Sequence, residues 1–305
     1  GIGLTLLPVL YSYGNFGGAP PGGAQRRFVN DVERYSRLVA ASHEAVRSLA
    51  GAIVGVAPHS LRAVAPPDLD RVAGLAIDGP VHIHVAEQRR EVNDCLAWSG
   101  RRPVEWLLDH AAVDSRWCLV HATHLTPPEV QALAGSGAVA GLCPVTEANL
   151  GDGIFPARDY LWAQGRLGLG TDSNIRIDAA AELCALEYSQ RLALQQRNVL
   201  AGAPGQSTGR SLFTAASQGG AQATGFPDAA LAPGCFADFL TLDVAHPALL
   251  GRQEDGLLDS WIFAAGKAAI DCVWRAGRKV VAAGRHVHHE RIVRRYREAL
   301  QRLLP

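Results

Sequence analysis

The sequence predicts an α/β protein of the (β/α)8 TIM-type barrel class, missing its N-terminal strands and followed by a small C-terminal β-module. Three observations predict it. Short β-rich apolar runs alternate with longer helical patterns through the first two thirds of the 305 residues, the arrangement that builds parallel sheets from βα units. Polar residues able to do chemistry fall at the ends of those runs, where barrel enzymes carry their catalytic groups. Beyond residue 225 the pattern turns to short alternating strands divided by glycine turns.

The predicted strands are Leu4 to Tyr11, Ala52 to Ala57, Val81 to Ala86, Cys118 to His121, Ala138 to Leu142 and Leu167 to Gly170. Between and after them apolar residues recur three or four apart, which predicts helices at Asp31 to Ala50, Pro67 to Ile77, Glu91 to Trp98, Pro127 to Ala134 and Ala180 to Leu200. Six βα units are visible where a barrel has eight. Methionine is absent and the chain opens on Gly-Ile-Gly straight into a strand, so the remaining two units are expected upstream. A helix at Ser211 to Ala223 completes an incomplete barrel domain over residues 1–225. Residues 226–305 are expected to form the β-module, with strands at Phe236 to Leu242, Trp261 to Ala265 and within Asp271 to Arg285. The arginine-rich amphipathic helix at Glu290 to Leu304 reads as a solvated face.

Composition narrows the function classes. With 48% hydrophobic residues the chain is long enough to bury a large core. Formal charge is zero and Lys267 and Lys279 are the only lysines, so no polycationic surface is offered to nucleic acid or to membranes. The longest apolar stretch, Ile2 to Tyr11, is interrupted by Pro8 and is about half of what crosses a bilayer. It lacks the basic flank and cleavage pattern of a signal peptide. Cys95, Cys118, Cys143, Cys184, Cys235 and Cys272 are scattered without a C-x-x-C pair, which fits reduced thiols in a cytoplasmic protein and small core hydrophobes. The expected partner is a small-molecule substrate and the expected assembly a homodimer.

Three strand ends carry the chemistry. In Val-His-Ile-His-Val-Ala-Glu, residues 81 to 87, period-two geometry puts His82 and His84 on the barrel-facing side, with Glu87 beyond the strand and free to curl over the mouth. His121 ends the strand in Cys-Leu-Val-His-Ala-Thr-His, with His124 in the loop, and Asp172 follows a glycine-rich strand that leaves room at the barrel axis. Histidine and carboxylate ligands from neighbouring strands suit zinc, with iron or manganese as alternatives, and an open coordination position would hold the attacking water. A lone strand histidine is more often structural, and an aspartate in Thr-Asp-Ser more often a turn or helix cap. The order His-x-x-Glu, His, Asp at three strand ends selects the functional reading. His82 is expected to be a packed partner of the site, and His43, His110, His246, His286, His288 and His289 surface residues.

These residues, together with Leu-Leu-Pro-Val-Leu-Tyr-Ser at 6 to 12, Gln-Arg-Arg-Phe at 25 to 28, His-Ser-Leu-Arg-Ala-Val at 59 to 64, His-Val-Ala-Glu-Gln at 84 to 88, the run from Cys143 to Pro156 and Leu-Glu-Tyr-Ser-Gln-Arg at 186 to 191, resemble the formimidoylglutamate deiminases of the amidohydrolase superfamily. The resemblance covers essentially the whole chain. It implies hydrolysis of N-formimino-L-glutamate to N-formyl-L-glutamate and ammonia, as in histidine degradation. It implies His84 and Asp172 as zinc ligands, with Asp172 also accepting a proton from the attacking water. His121 would polarise the nucleophile or intermediate, Glu87 would protonate the departing nitrogen, and His59 and Arg62 would grip the substrate's carboxylates. The family's first-strand His-x-His ligands are not in this chain, so the 305 residues alone are expected to hold half a metal site, with weak or no metal and no turnover. Thr171 to Asn174 reads Thr-Asp-Ser-Asn where relatives have Ser-Asp-Ser-His, and Tyr13 stands where a histidine often follows Tyr-Ser. The rival readings are a sibling deaminase of the guanine, cytosine or adenosine type, and a non-catalytic relic that binds acidic metabolites through Arg62.

Overall fold

The computed structural model describes residues 3–173, 176–226 and 230–304. Exposure alternates along its strands as a sheet with one covered face requires. In β5 (Val81–Val85, numbered by its place in the chain) Val81, Ile83 and Val85 are buried and His82 and His84 are half-buried. The apolar set packs under helices while both histidines share the other face.

Preceding β5, β1 (Leu4–Leu6) pairs with β3 (Ala52–Val54) and β2 (Val9–Leu10) with β4 (Ala57–Pro58), all parallel. The first two staves are thus extended runs interrupted at Leu7-Pro8 and Gly55-Val56, the first where proline removes a ladder donor. Bridges Val56–Val81 and Ser60–His84 join the second stave to β5. β6 (Trp117–His121), β7 (Val139–Leu142) and β8 (Arg166–Leu169) continue the parallel order. Among the described residues the parallel strands therefore form an arc of six staves rather than a closed ring of eight.

The outer face carries α1 (Val32–Val46), α2 (Pro66–Ala73), α3 (Arg89–Ser99), α4 (Pro103–His110), α5 (Pro127–Ser136), α6 (Pro144–Leu150), α7 (Ala157–Trp162) and α8 (Ala179–Leu194). Ile83, Leu119 and Leu142 of the strands join Val92, Leu107, Leu133 and Leu183 of the helices in one core, each contributing about 1.5–3 kcal/mol by burial. α8 stops short of the predicted Leu200. Wholly buried Glu187 accepts hydrogen bonds from Val199 N–H and Leu200 N–H at 2.9 Å each, folding residues 195–200 back on the helix.

α9 (Thr208–Thr224) closes the N-terminal end of the arc. The Gln222 amide donates to the carbonyls of Ser115 and Gly137, both at 2.8 Å, just ahead of β6 and β7. The Ala223 carbonyl accepts from His82 Nε2–H at 2.7 Å, and Thr224 O accepts from Thr5 Oγ1 at 2.7 Å. A Cβ on Gly219 would collide with the carbonyl of Leu167, and one on Gly168 would press on Gly220. The room beside the glycine-rich strand is therefore filled by α9 instead of being left open at an axis.

β9 (Phe239–Leu242), β10 (Ile270–Arg275), β11 (Arg278–Ala282) and β12 (Arg285–His286) form an antiparallel sheet in the order β12-β11-β10-β9. Trp261 to Ala265 is not a strand. It is a π-helical turn continuing α10 (Asp255–Ser260), and buried Trp261 meets Phe213 of α9 edge-on at 6.0 Å. A short apolar run carries no period to separate the two states, and burial against a helix decided it. α11 (His289–Leu303) follows, with none of its residues buried. No described helix is long and apolar enough to cross a membrane.

Candidate active site

At the end of the arc away from the α9 closure, three backbone turns aim side chains at a common mouth. Ala86, His121, Ala122 and Asp172 all have positive φ, at 50°, 67°, 46° and 50°. Non-glycine residues in this region carry strain of order 1–3 kcal/mol each and persist where neighbours over-determine them. Here the neighbours are identifiable. Buried Glu91, in the first turn of α3, accepts from Ala86 N–H and Glu87 N–H at 3.2 and 3.1 Å. Ala122 N–H bonds the Val85 carbonyl, and the Asp172 carboxylate accepts from Ser173 N–H at 2.6 Å.

His84 donates through Nδ1–H to the His59 carbonyl at 2.7 Å, which leaves Nε2 as its free nitrogen. Burial above all pushes its pKa down, so the ring is a neutral imidazole, the form that ligates metals. His121 lies beside it with ring centroids 5.7 Å apart. Its Nδ1 lies 3.3 Å from Glu147 Oε1, and its Nε2 lies 3.8 Å from Glu87 Oε1 and 3.9 Å from Asp172 Oδ2. Burial is the largest single influence on His121 and opposes its charge. The hydrogen bond to Glu147 and the carboxylates of Glu87, Glu147 and Asp172 together overcome it and raise the pKa.

The structure thus brings His84, Glu87, His121 and Asp172 together. His59 stands next to them, 4.8 Å from the His84 ring and edge-on to Tyr11 at 4.6 Å. Burial, then His84 and Arg62, lower its pKa to about 3. Arg62 reaches Glu91 only loosely, at 3.9 Å, and its Nε is buried with no hydrogen-bond partner. His82 faces the α9 closure and is outside the mouth. His124 borders the mouth, its N–H on the Ala86 carbonyl and its Nε2 buried without a partner. Tyr13 pairs through its N–H with Ala63 O, and Asn174 lies outside the described residues.

Sequence reasoning missed Glu91 and Glu147. Both sit in the first turn of a helix directly after a strand end, and a carboxylate in that place was the available signal. Among the described residues no three His, Cys, Asp or Glu side chains are placed to hold a metal ion together. Nε2 of His84 and Oδ2 of Asp172, neither of them hydrogen-bonded among the described residues, nonetheless suit two positions in the coordination shell of a divalent cation.

The amidohydrolase family model matches residues 12–280. The chain is 52% identical over all 305 residues to the formimidoylglutamate deiminase of Pseudomonas aeruginosa, covering 67% of that protein. It is 32% identical over 223 residues to a 5-methylthioadenosine/S-adenosylhomocysteine deaminase of Nitratidesulfovibrio vulgaris, 71% of this chain and 49% of that one. The chain therefore spans about two thirds of the first relative's length and half of the second's. Among solved structures, an amidohydrolase from Brucella melitensis superposes with a TM-score of 0.95 at 52% identity, over 99% of this chain and 67% of that one. An adenosine deaminase from Xanthomonas campestris with bound zinc shares the fold, with a TM-score of 0.79 at 24% identity, over 96% and 65%. Matched by the family model over most of its length, and by a deiminase over all of it, the chain belongs to the amidohydrolase family.

Proposed function

We propose that this chain is the catalytic body of a formimidoylglutamate deiminase, which hydrolyses N-formimino-L-glutamate to N-formyl-L-glutamate and ammonia in the cytoplasm. The observation that carries the proposal is the placement of His121 Nε2 between Glu87 and Asp172, beside the free nitrogen of His84, in a chain 52% identical along its whole length to such a deiminase. We read the arc as six staves of a (β/α)8 barrel, with the mouth at the strand C-termini.

His84 and Asp172 would hold a divalent cation, zinc first and iron or manganese as alternatives. A zinc-bound relative by fold supports this choice. The chemistry such an ion supplies when bound is Lewis-acid activation of water and of the amidine carbon. The remaining work falls to side chains. Asp172 takes a proton from the attacking water, and Glu87 delivers one to the departing nitrogen, so that the amidine HN=CH–NH–R and water leave as O=CH–NH–R and NH3. His121, its charged form favoured by three carboxylates, donates from Nε2–H to the oxygen on which charge develops. Arg62, with an unpaired buried Nε, and His59 receive the glutamate carboxylates.

The test is direct. The full-length protein, supplied with zinc and N-formimino-L-glutamate, is expected to release ammonia. No release above background, with turnover of an aminopurine or another amidine instead, would reassign the chain to a sibling deaminase. No turnover of any of them would favour a binding relic.

A further inference from the structure

Glu147 is a buried carboxylate beside the mouth to which the proposed reaction assigns no proton and no substrate contact. It comes from the first turn of α6, directly after β7. Its Oε1 accepts two hydrogen bonds, from Cys143 N–H at 2.9 Å and from the His121 ring at 3.3 Å. The Glu147 side chain is 6% exposed and that of His121 1%, so neither can exchange its partner for water. A carboxylate only accepts, so His121 Nδ1 must carry the hydrogen. The other ring nitrogen is then the one that faces Glu87 and Asp172.

We propose that Glu147 is a positioning residue for the hydrolysis: tied to the end of β7 by the Cys143 amide, it locks His121 as the Nδ1–H form and leaves Nε2 alone to address the reacting groups. The catalytic consequence rests on the deimination reading; the side-chain arrangement does not. Without the carboxylate, the ring of His121 could turn over or exchange its hydrogen between nitrogens, since its left-handed backbone fixes the direction of Cβ but not the ring's orientation.

Two variants and two measurements test it. In Glu147→Gln the Cys143 N–H still requires an acceptor, so the amide oxygen stays where Oε1 was. Geometry is kept and charge is lost. Long-range 1H–15N correlation spectra of histidine-labelled protein are expected to show His121 protonated on Nδ1 in the native protein and in Glu147→Gln, and to lose that form in Glu147→Leu. Turnover of N-formimino-L-glutamate is expected to fall about 10- to 100-fold in kcat for Glu147→Gln, with KM nearly unchanged, and further for Glu147→Leu. A native His121 with no hydrogen on Nδ1 overturns the proposal, as does a Glu147→Gln variant with native kcat. Absence of turnover in the native protein, with Nδ1–H present and lost in Glu147→Leu, would reject the deimination reading and leave the positioning role standing.

Discussion

Replacing Glu182 by glutamine is expected to remove a pH-dependent cost built into the α6–α8 contact. Glu182 is buried. One carboxylate oxygen accepts from Val145 N–H at 2.9 Å, and the other has no partner. Burial foremost, with the nearby carboxylates of Glu147 and Asp178, raises its pKa from 4.5 to about 7, against the lowering effect of the Val145 bond. The folded protein therefore keeps a proton that the unfolded chain releases at lower pH. Below about pH 4.5 both states are protonated and stability is unaffected; between there and pH 7 stability falls as pH rises; above pH 7 the whole loss is present. At 1.36 kcal/mol per pH unit this amounts to about 3 kcal/mol. Glu182→Gln retains an oxygen for Val145 and cannot ionise. Calorimetric unfolding of both proteins at pH 5 and pH 8 should show the variant's advantage in Tm growing by about 4 °C between the two. A difference that stays flat across that range would refute the reasoning.

Three further outcomes follow from the geometry. Glu87→Gln removes the proton donor but leaves the Glu91 bonds to the turn intact, so kcat for deimination should fall about 10²- to 10⁴-fold with an unchanged circular dichroism spectrum. Arg62→Lys loses the bidentate fork and should raise KM about 10-fold or more, with a smaller effect on kcat. Gly219→Ala drives a methyl group into the Leu167 carbonyl, and a loss of about 1–3 kcal/mol in stability should appear in urea unfolding.

The six parallel strands were legible because their buried residues form short β-branched runs between longer helical periods. His84 and His121 were legible because they end such runs. The helix carrying Glu147 was not, since seven residues from Pro144 to Leu150 span only two turns and show too little period. Its purpose depends on a neighbour 26 positions earlier in the chain. Trp261 to Ala265 misled for a related reason: apolar content alone does not separate a strand from a buried helical turn. The left-handed turns at Ala86, His121 and Asp172 left no trace either, because alanine, histidine and aspartate do not advertise positive φ as glycine does.

The α9 closure also bears on the order of assembly. Its bonds connect Thr224 with Thr5, Ala223 with His82, and Gln222 with Ser115 and Gly137, spans of 219, 141, 107 and 85 positions. Contacts this distant in sequence are slow to form and are made late. A nascent polypeptide thus carries its ribbons out of the ribosome in sequence, yet their leading ends stay unfastened until residues 219 to 224 emerge, and up to that moment the unpaired edges of the growing chain are open to mispairing.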